Sequence, residues 1–239
     1  MRSPYGKRKT MFCRLDLKFL SFGGGRTMND IQAFFNEIQM HLLEDERPSH
    51  FLDQSRKRPE MQAFPFLYLS RLKNVEQSPV HHPEGNVWIH TLLVVDEAAA
   101  RRDRSEDPRV FMWAALLHDI GKAVTTRRRK GRITAYNHDK AGEKLAVEFL
   151  KACGQEEGFI RAVSAMVRWH MQVLFVIKNL PFAEIEKMKS QVSIREIGLL
   201  ALCDRLGRTV DMDVAKEEEE IRRFIEKCES VPTESQDSI

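Results

Sequence analysis

The stretch Ala114–Lys122, AALLHDIGK, decides how this sequence is read. Its apolar helical run is bound for a core, yet it ends on two adjacent polar residues, His118 and Asp119, ahead of Gly121. A carboxylate taken into a core alone is strongly unfavourable and persists only with a cation or a dense set of donors. An acid buried beside an imidazole therefore calls for a shared partner.

The same helical period extends outward in both directions. MNDIQAFFNEIQMHLL (28–43) sets Ile31, Phe34, Phe35, Ile38 and Leu42 on one stripe, with Asn29 or Asp30 available as its cap. HFLDQSRKRPEM (50–61) reads as a polar break, EMQAFPFLYLSRL (60–72) as a Pro65-interrupted apolar segment, and SPVHHPEGN (78–86) as loop. Helices are expected from Val87 to about Ala100, from Pro108 (capped by Asp107) to Gly121, and over about 138–153, 157–178, 182–190 and 193–207. Ser193 and Glu196 form a capping-box pattern. VAKEEEEIRRFIEKC (214–228) is a charged last helix, and only RITAY (132–136) hints at a strand. The fold class is all-α.

Composition narrows the classes. With 239 residues and 42% hydrophobic content the chain can bury a core, which excludes global disorder. The 38 basic residues nearly cancel 35 acidic ones, so attraction for nucleic acid has to come from local clusters. Cys13, Cys153, Cys203 and Cys228 lie far apart without a C-x-x-C pair, as reduced thiols of a cytoplasmic protein would. No run approaches the roughly 20 uninterrupted apolar residues of a membrane helix. Arg14, Asp16 and Lys18 interrupt the only stretch resembling a leader. Residues 1–27 read as a disordered basic arm, or as an extension in which Gly23–Gly25 translate a ribosome-binding site ahead of a start at Met28. The tail after Val231 reads as disordered.

Other polar residues share the position of His118 and Asp119. His90 lies within VWIHTLLVV, His170 has Met166, Val167, Val173 and Leu174 on its face, and Asp204 follows Leu200 and Ala201. Taken singly, an inward histidine is a hydrogen-bonded core residue, Asp119 a helix-end acid, and Asp204 a partner of Arg205 or Arg208. Taken together they call for a shared cation, and a metal is the most economical one. His41, His50 and His81 show no such context.

His90, the adjacent His118-Asp119 followed by Ile-Gly-Lys, and the distant Asp204 resemble the HD superfamily of metal-dependent phosphohydrolases in its HDIG form. His138 and His170 match the extended pattern that in that superfamily implies a two-metal site. HPEGNVWIHTLLVVDEAA and ITAYNHDKAGEKLAVEFL look most like the HD domain of bacterial CCA-adding tRNA nucleotidyltransferases, a resemblance covering roughly residues 60–210. It implies an HD-domain helical bundle with a metal site in its core. An N-terminal helical segment (28–59) would precede it, and a charged helix and tail (211–239) would follow. The nucleotidyltransferase head is not matched: FGGGRTMND lacks the Asp-x-Asp carboxylates, Asp211–Asp213 comes after the HD core, and some 60 residues cannot hold a head domain.

The expected ligands are His90, His118, Asp119, His138, His170 and Asp204, with Asp119 bridging two divalent cations. Mixed N and O ligation suits Mn, Fe, Co, Ni or Zn, with Mg still compatible. Such a pair would activate a bridging hydroxide for hydrolysis of a phosphomonoester or phosphodiester. Asp119 and Lys122 are the catalytic candidates, and Lys122 reads equally as a phosphate contact or as a helix-end cation. Arg127, Arg128, Arg129, Lys130 and Arg132 form a basic loop that reads as solvated or as a phosphate-backbone contact; Arg205 and Arg208 either touch substrate or pair with acids. Asp139 reads as a helix N-terminal acid in preference to a support for His138 or a proton carrier, and Trp88, Trp113 and Trp169 read as core. The resemblance places a nucleotide or RNA-terminal phosphate in the site, 2′,3′-cyclic phosphodiesters and 2′-phosphates first, with tRNA as a partner. Rival readings are hydrolysis of nucleoside triphosphates or dinucleoside polyphosphates, and a non-catalytic metal-containing module that binds tRNA or a nucleotide.

Overall fold

A computed structural model describes residues 27–208 and 212–232. The periodic segments form helices. α1 (Met28–Glu44) buries the five residues of its expected stripe. Its cap is Thr27 rather than Asn29 or Asp30: the Thr27 hydroxyl accepts the Asp30 N–H, and the Asp30 carboxylate accepts the Thr27 N–H. Thr27 is thus part of the helix start, while the rest of the N-terminal extension, the tail from 233, and Asp211 lie outside the described residues.

α2 (Pro48–Ser55) occupies much of what the sequence reads as a polar break. It offers few apolar residues, Leu52 in the core and Phe51 packed against it, and polar contacts add to its hold on α4 (Val87–Ala99). Ser49 donates to Asp96 through its N–H (3.0 Å) and its hydroxyl (2.7 Å), and Trp88 Nε1–H donates to Asp53 (3.1 Å). The proline-interrupted segment becomes a short α3 (Leu67–Arg71) flanked by 3-10 turns at Glu60–Gln62 and Leu72–Asn74.

α5 (Pro108–Leu117), capped by Asp107 as expected, is buried along nearly its whole length and packs against α1, α4, α8 (Glu157–Trp169) and α11 (Ile194–Leu206). The rings of Phe35 and Trp113 stack 4.1 Å apart between α1 and α5. After α5 come α6 (Lys122–Thr125), a hairpin of β1 (Arg127–Arg129) and β2 (Arg132–Thr134), and α7 (His138–Ala152). Arg127 pairs with Thr134, and Lys130 and Gly131 take positive φ at the tip, as a tight hairpin requires. The expected strand therefore exists, and its partner lies in the charge run. α9 (Gln172–Ile177), α10 (Ile185–Lys189) and α12 (Val214–Glu229) lie further along the chain.

Two expected helices stop early for one reason. α5 ends at Leu117 instead of Gly121, and the helix expected over 157–178 breaks between α8 and α9. At each end a histidine takes a backbone carbonyl three residues back: His118 Nδ1 lies 2.8 Å from Ala115 O, and His170 Nδ1 lies 2.7 Å from Val167 O. A continuing helix would use those carbonyls for its own N–H groups. The Ser193–Glu196 box is not made either, because Glu196 instead accepts from the Ser105 hydroxyl and the Glu106 N–H. Among the described residues, Glu157–Ile177 reaches the length and mean hydropathy (1.2) of a membrane span, but 67% of that window is buried inside this protein and it carries Arg168 and His170.

Candidate metal centre

The ends of α5 and α8, the start of α7, the middle of α4 and the last turn of α11 converge on Asp119, which is 2% exposed. Its two oxygens face different neighbours. Oδ2 lies 3.3 Å from His118 Nε2, 3.9 Å from His90 Nε2 and 2.6 Å from Lys122 Nζ. Oδ1 lies 3.5 Å from His138 Nε2 and 3.9 Å from His170 Nε2. Asp204 joins the first group through His90, with Nε2 to Oδ1 at 2.9 Å. The ligating atoms of His90, His118 and Asp119 form one compact set and those of Asp119, His138 and His170 a second, sharing Asp119.

Every imidazole turns the same nitrogen inward. His118, His138 and His170 each donate Nδ1–H to a carbonyl three residues back, those of Ala115, Ala135 and Val167, at 2.7–2.8 Å. A carbonyl only accepts, so Nδ1 carries the proton and each neutral ring offers an Nε2 lone pair. His90 is held differently: its Nδ1 lies 2.9 Å from Glu84 Oε1. Hydrogen-bond partners of this kind fix the tautomer and orientation of metal-ligating histidines.

The donor set fits divalent cations. His138 Nε2 and His170 Nε2 face each other at 3.1 Å with their other nitrogens committed, so two lone pairs oppose unless a cation lies between them. His118 Nε2 is buried with no hydrogen-bond partner among the described residues. Burial would push the Asp119 carboxyl up, yet the Lys122 ammonium and His118 hold it well below the usual carboxylate range. The same opposition acts on Asp204, where His90 and Arg208 prevail over burial. Burial lowers His138, and burial together with His138 brings His170 to about 4. His90 is the exception: burial opposes its charge, but Asp204 and Glu84 raise it to about 9.

Two glycines permit this convergence. A Cβ on Gly121 would meet the His138 carbonyl oxygen at 2.0 Å, and one on Gly207 would meet the Val94 side chain at 2.7 Å and its N at 2.8 Å. Gly121 thus matters through close approach to α7, and Gly207 through the close approach of α11 to α4 that brings Asp204 to His90.

The remaining expected residues divide. Lys122 reaches both Asp119 and Gln77 Oε1 (2.7 Å), so its charge is engaged at the centre. Arg127, Arg128, Arg129, Lys130 and Arg132 are exposed on the hairpin, and among the described residues none bonds the six His and Asp side chains. Arg128 pairs with Glu76 (2.8 Å) and Arg129 lies over the Tyr136 ring at 5.7 Å. Arg205 is taken up by Glu217 and Glu220 at 2.6 Å each, while Arg208 Nη2 approaches Asp204 at 3.8 Å. Trp88, Trp113 and Trp169 are all buried, as expected.

Several contributors have no helical signal. His82 and Glu84 come from the SPVHHPEGN loop: His82 Nδ1 lies 2.8 Å from Glu84 Oε1, and the His82 and His90 rings are 4.8 Å apart. Burial pushes Glu84 up but its hydrogen bonds, His90 first, bring it to about 2; burial, Lys122 and His90 bring His82 to about 4. The one cue in the sequence is a carboxylate six residues before His90, just ahead of the Asn86 cap. Asp139 is the acid in the first turn of α7, as expected, and is also buried against Arg168 Nη1 at 2.7 Å. That pair ties the residue after His138 to one two places before His170.

Comparison with known proteins agrees with this geometry. The HD domain family model matches residues 87–209, just over half of the sequence. A Multifunctional CCA protein of Actinobacillus pleuropneumoniae is 39% identical over 35% of this chain and 20% of its own length. One from Halorhodospira halophila is 38% identical over 48% and 26%, and one from Pseudomonas fluorescens 32% over 51% and 28%. The chain thus spans only a fifth to just over a quarter of these relatives. With the shared Asp119 and both histidine groups standing inside the matched span, this chain belongs to the HD-domain family.

Proposed function

We propose that this protein is a metal-dependent phosphohydrolase acting on a phosphomonoester or phosphodiester of a nucleotide or RNA terminus. The observation that carries the reading is the division of Asp119: Oδ2 toward His90 and His118, Oδ1 toward His138 and His170. His90, His118, Asp119 and Asp204 would hold one divalent ion, and Asp119, His138 and His170 a second. Ions held there supply Lewis acidity and an activated water at neutral pH. The protein's own part is preorganisation. Backbone carbonyls and Glu84 hold the imidazoles, Lys122 keeps Asp119 ionised, and the Arg168–Asp139 pair fixes α7 against α8. Leu116, Leu117, Ile120 and Val167 are fully buried around the ligand-bearing turns and limit water there.

The basic hairpin joins α6 to α7, both of which bear residues of the centre, so its arginines would steer a polyanion toward it. The resemblance to CCA-adding enzymes supports an RNA end, with tRNA as a partner and 2′,3′-cyclic phosphates and 2′-phosphates as first substrates. Cys153, Cys203 and Cys228 are buried free thiols, in keeping with a cytoplasmic setting. A panel of cyclic and linear nucleoside phosphates, nucleoside triphosphates and dinucleoside polyphosphates, assayed before and after chelation, tests the reading. Hydrolysis lost on chelation and restored by Mn, Ni, Co, Fe, Zn or Mg supports it. Metal-replete protein that binds nucleotide but hydrolyses none of the panel refutes it in favour of a binding module.

A further inference from the structure

A cleft of about 260 Å³ opens beside the centre between α9, α11 and the first turn of α12. His170 and Asp204 line it. They come from opposite sides of the centre: His170 accompanies His138 at Asp119 Oδ1, and Asp204 meets His90 on the Oδ2 side. A group resting on these two residues faces both halves of the centre at once.

Four further cations line the cleft, Lys178 after α9, Arg205 and Arg208 at and after the end of α11, and Lys216 in α12, together with Glu217 and Glu220. Among the described residues neither lysine ammonium has a carboxylate within ion-pair distance. Among the described residues Arg208 has only its 3.8 Å approach to Asp204, and its buried Nε has no hydrogen-bond partner. Arg205, by contrast, is neutralised by Glu217 and Glu220. Met171, Leu174 and Met212 supply an apolar wall, with Leu174 39% exposed. Lys178 acts at longer range on Glu220, but Lys216 and Arg208 beside a metal-facing floor suit a phosphate, and an adjoining Met-lined wall suits a flat aromatic ring. α12 lies beyond residue 209, where the family match ends, so Met212 and Lys216 come from outside the matched span while Met171 and Leu174 lie within it.

We infer that the cleft binds a single nucleotide unit, phosphate inward, with Arg208 and Lys216 contacting the anion and Met171, Leu174 and Met212 supporting the base. The inward phosphate rests on the phosphohydrolase reading; the binding chemistry is separable from it. A free mononucleotide and the terminal nucleotide of an RNA present the same unit.

Calorimetric titration of the full, metal-replete chain with adenosine 3′-monophosphate, and with inorganic phosphate as control, tests this. Lys216→Glu and Leu174→Trp alter exposed side chains, and elemental analysis and circular dichroism establish that centre and fold are retained. Removal of one charge-assisted bond to the phosphate weakens nucleotide binding by about tenfold in Lys216→Glu. Leu174→Trp weakens the nucleotide while leaving inorganic phosphate unchanged. Wild-type protein that binds no nucleotide, or metal-replete variants that both bind it as wild type does, overturn the inference. A short RNA with the same 3′ end binding as tightly identifies a terminal nucleotide as the source, and weaker binding identifies the free mononucleotide. If the affinity pattern holds but no phosphoester is hydrolysed, the phosphohydrolase reading fails and the cleft stands; the converse result leaves hydrolysis and removes the cleft.

Discussion

Replacing Gly121 by alanine puts the convergence of the centre under direct test. The added Cβ would lie 2.0 Å from the His138 carbonyl oxygen, 2.5 Å from Gly142 N and 2.9 Å from the His138 carbonyl carbon. Carbon and oxygen approach to about 3.3 Å even in weak C–H···O contacts, so the first turn of α7 has to retreat by roughly 1.3 Å. All three atoms are backbone, and no side-chain rotation relieves the clash. Overpacking costs about 1–3 kcal/mol, and a rigid helix on one side with a buried turn on the other puts this case near about 3. For a chain of this size that lowers Tm by roughly 6–12 °C. His138 rides on the displaced turn, and a shift of roughly 1.3 Å far exceeds the tolerance of about 0.2 Å in a metal–ligand distance. Gly121→Ala protein is therefore expected to melt early and to lose the ion on the His138–His170 side while keeping the one at His90. Gly158 is the control: its nearest neighbour to a new Cβ is Glu156 Oε1 at 3.9 Å, and Gly158→Ala retains metal and stability. Thermal unfolding with elemental analysis decides the matter, and a Gly121→Ala protein with wild-type Tm and metal content refutes the reasoning.

Glu84→Ala removes the group beside His90 Nδ1 and is expected to weaken metal binding by about 10–100-fold, with partial recovery in Glu84→Gln; chelator competition reads this, and unchanged affinity removes Glu84 from the centre. Neutralising Arg127, Arg129 and Lys130 should reduce the salt dependence of short-RNA binding by about 0.7 in log–log slope for each phosphate no longer neutralised, leaving mononucleotide binding as it was. An unaltered slope takes the hairpin out of RNA recognition. Arg168→Met strands the buried Asp139 carboxylate and should cost about 3–5 kcal/mol in denaturant unfolding, most of it recovered when Asp139 is made apolar too. Additive losses in that double variant would contradict the pairing.

How much of this was legible in the sequence depended on whether a residue's setting has a period. His90, His118, Asp119, His170 and Asp204 lie in or beside helices whose apolar stripes are readable, so each stands out as a polar group on a buried face, whereas His138 at the start of α7 is reached only through the family resemblance. His82, Glu84 and Gln77 sit in a loop with prolines and no period, and only the folded chain brings them to His90 and Lys122. The breaks after α5 and α8 were hidden because a histidine side chain, and not a glycine or proline, takes the carbonyl that would carry the helix on. α2 is hard to read because its apolar residues are few, Phe51 and Leu52, and serine and aspartate contacts supply much of its hold. Arg205 looked like a neighbour for Asp204, but α12 supplies Glu217 and Glu220 from a part of the chain with no local relation to it.

Metal content and hydrolysis of wild-type and Asp119→Ala protein, measured side by side, bear most directly on the central claim that one carboxylate joins two histidine groups around shared cations. The account predicts two divalent ions per chain and chelator-sensitive hydrolysis in the wild type, and the loss of both together in the variant. An Asp119→Ala protein that is free of metal and still hydrolyses its substrate would contradict it.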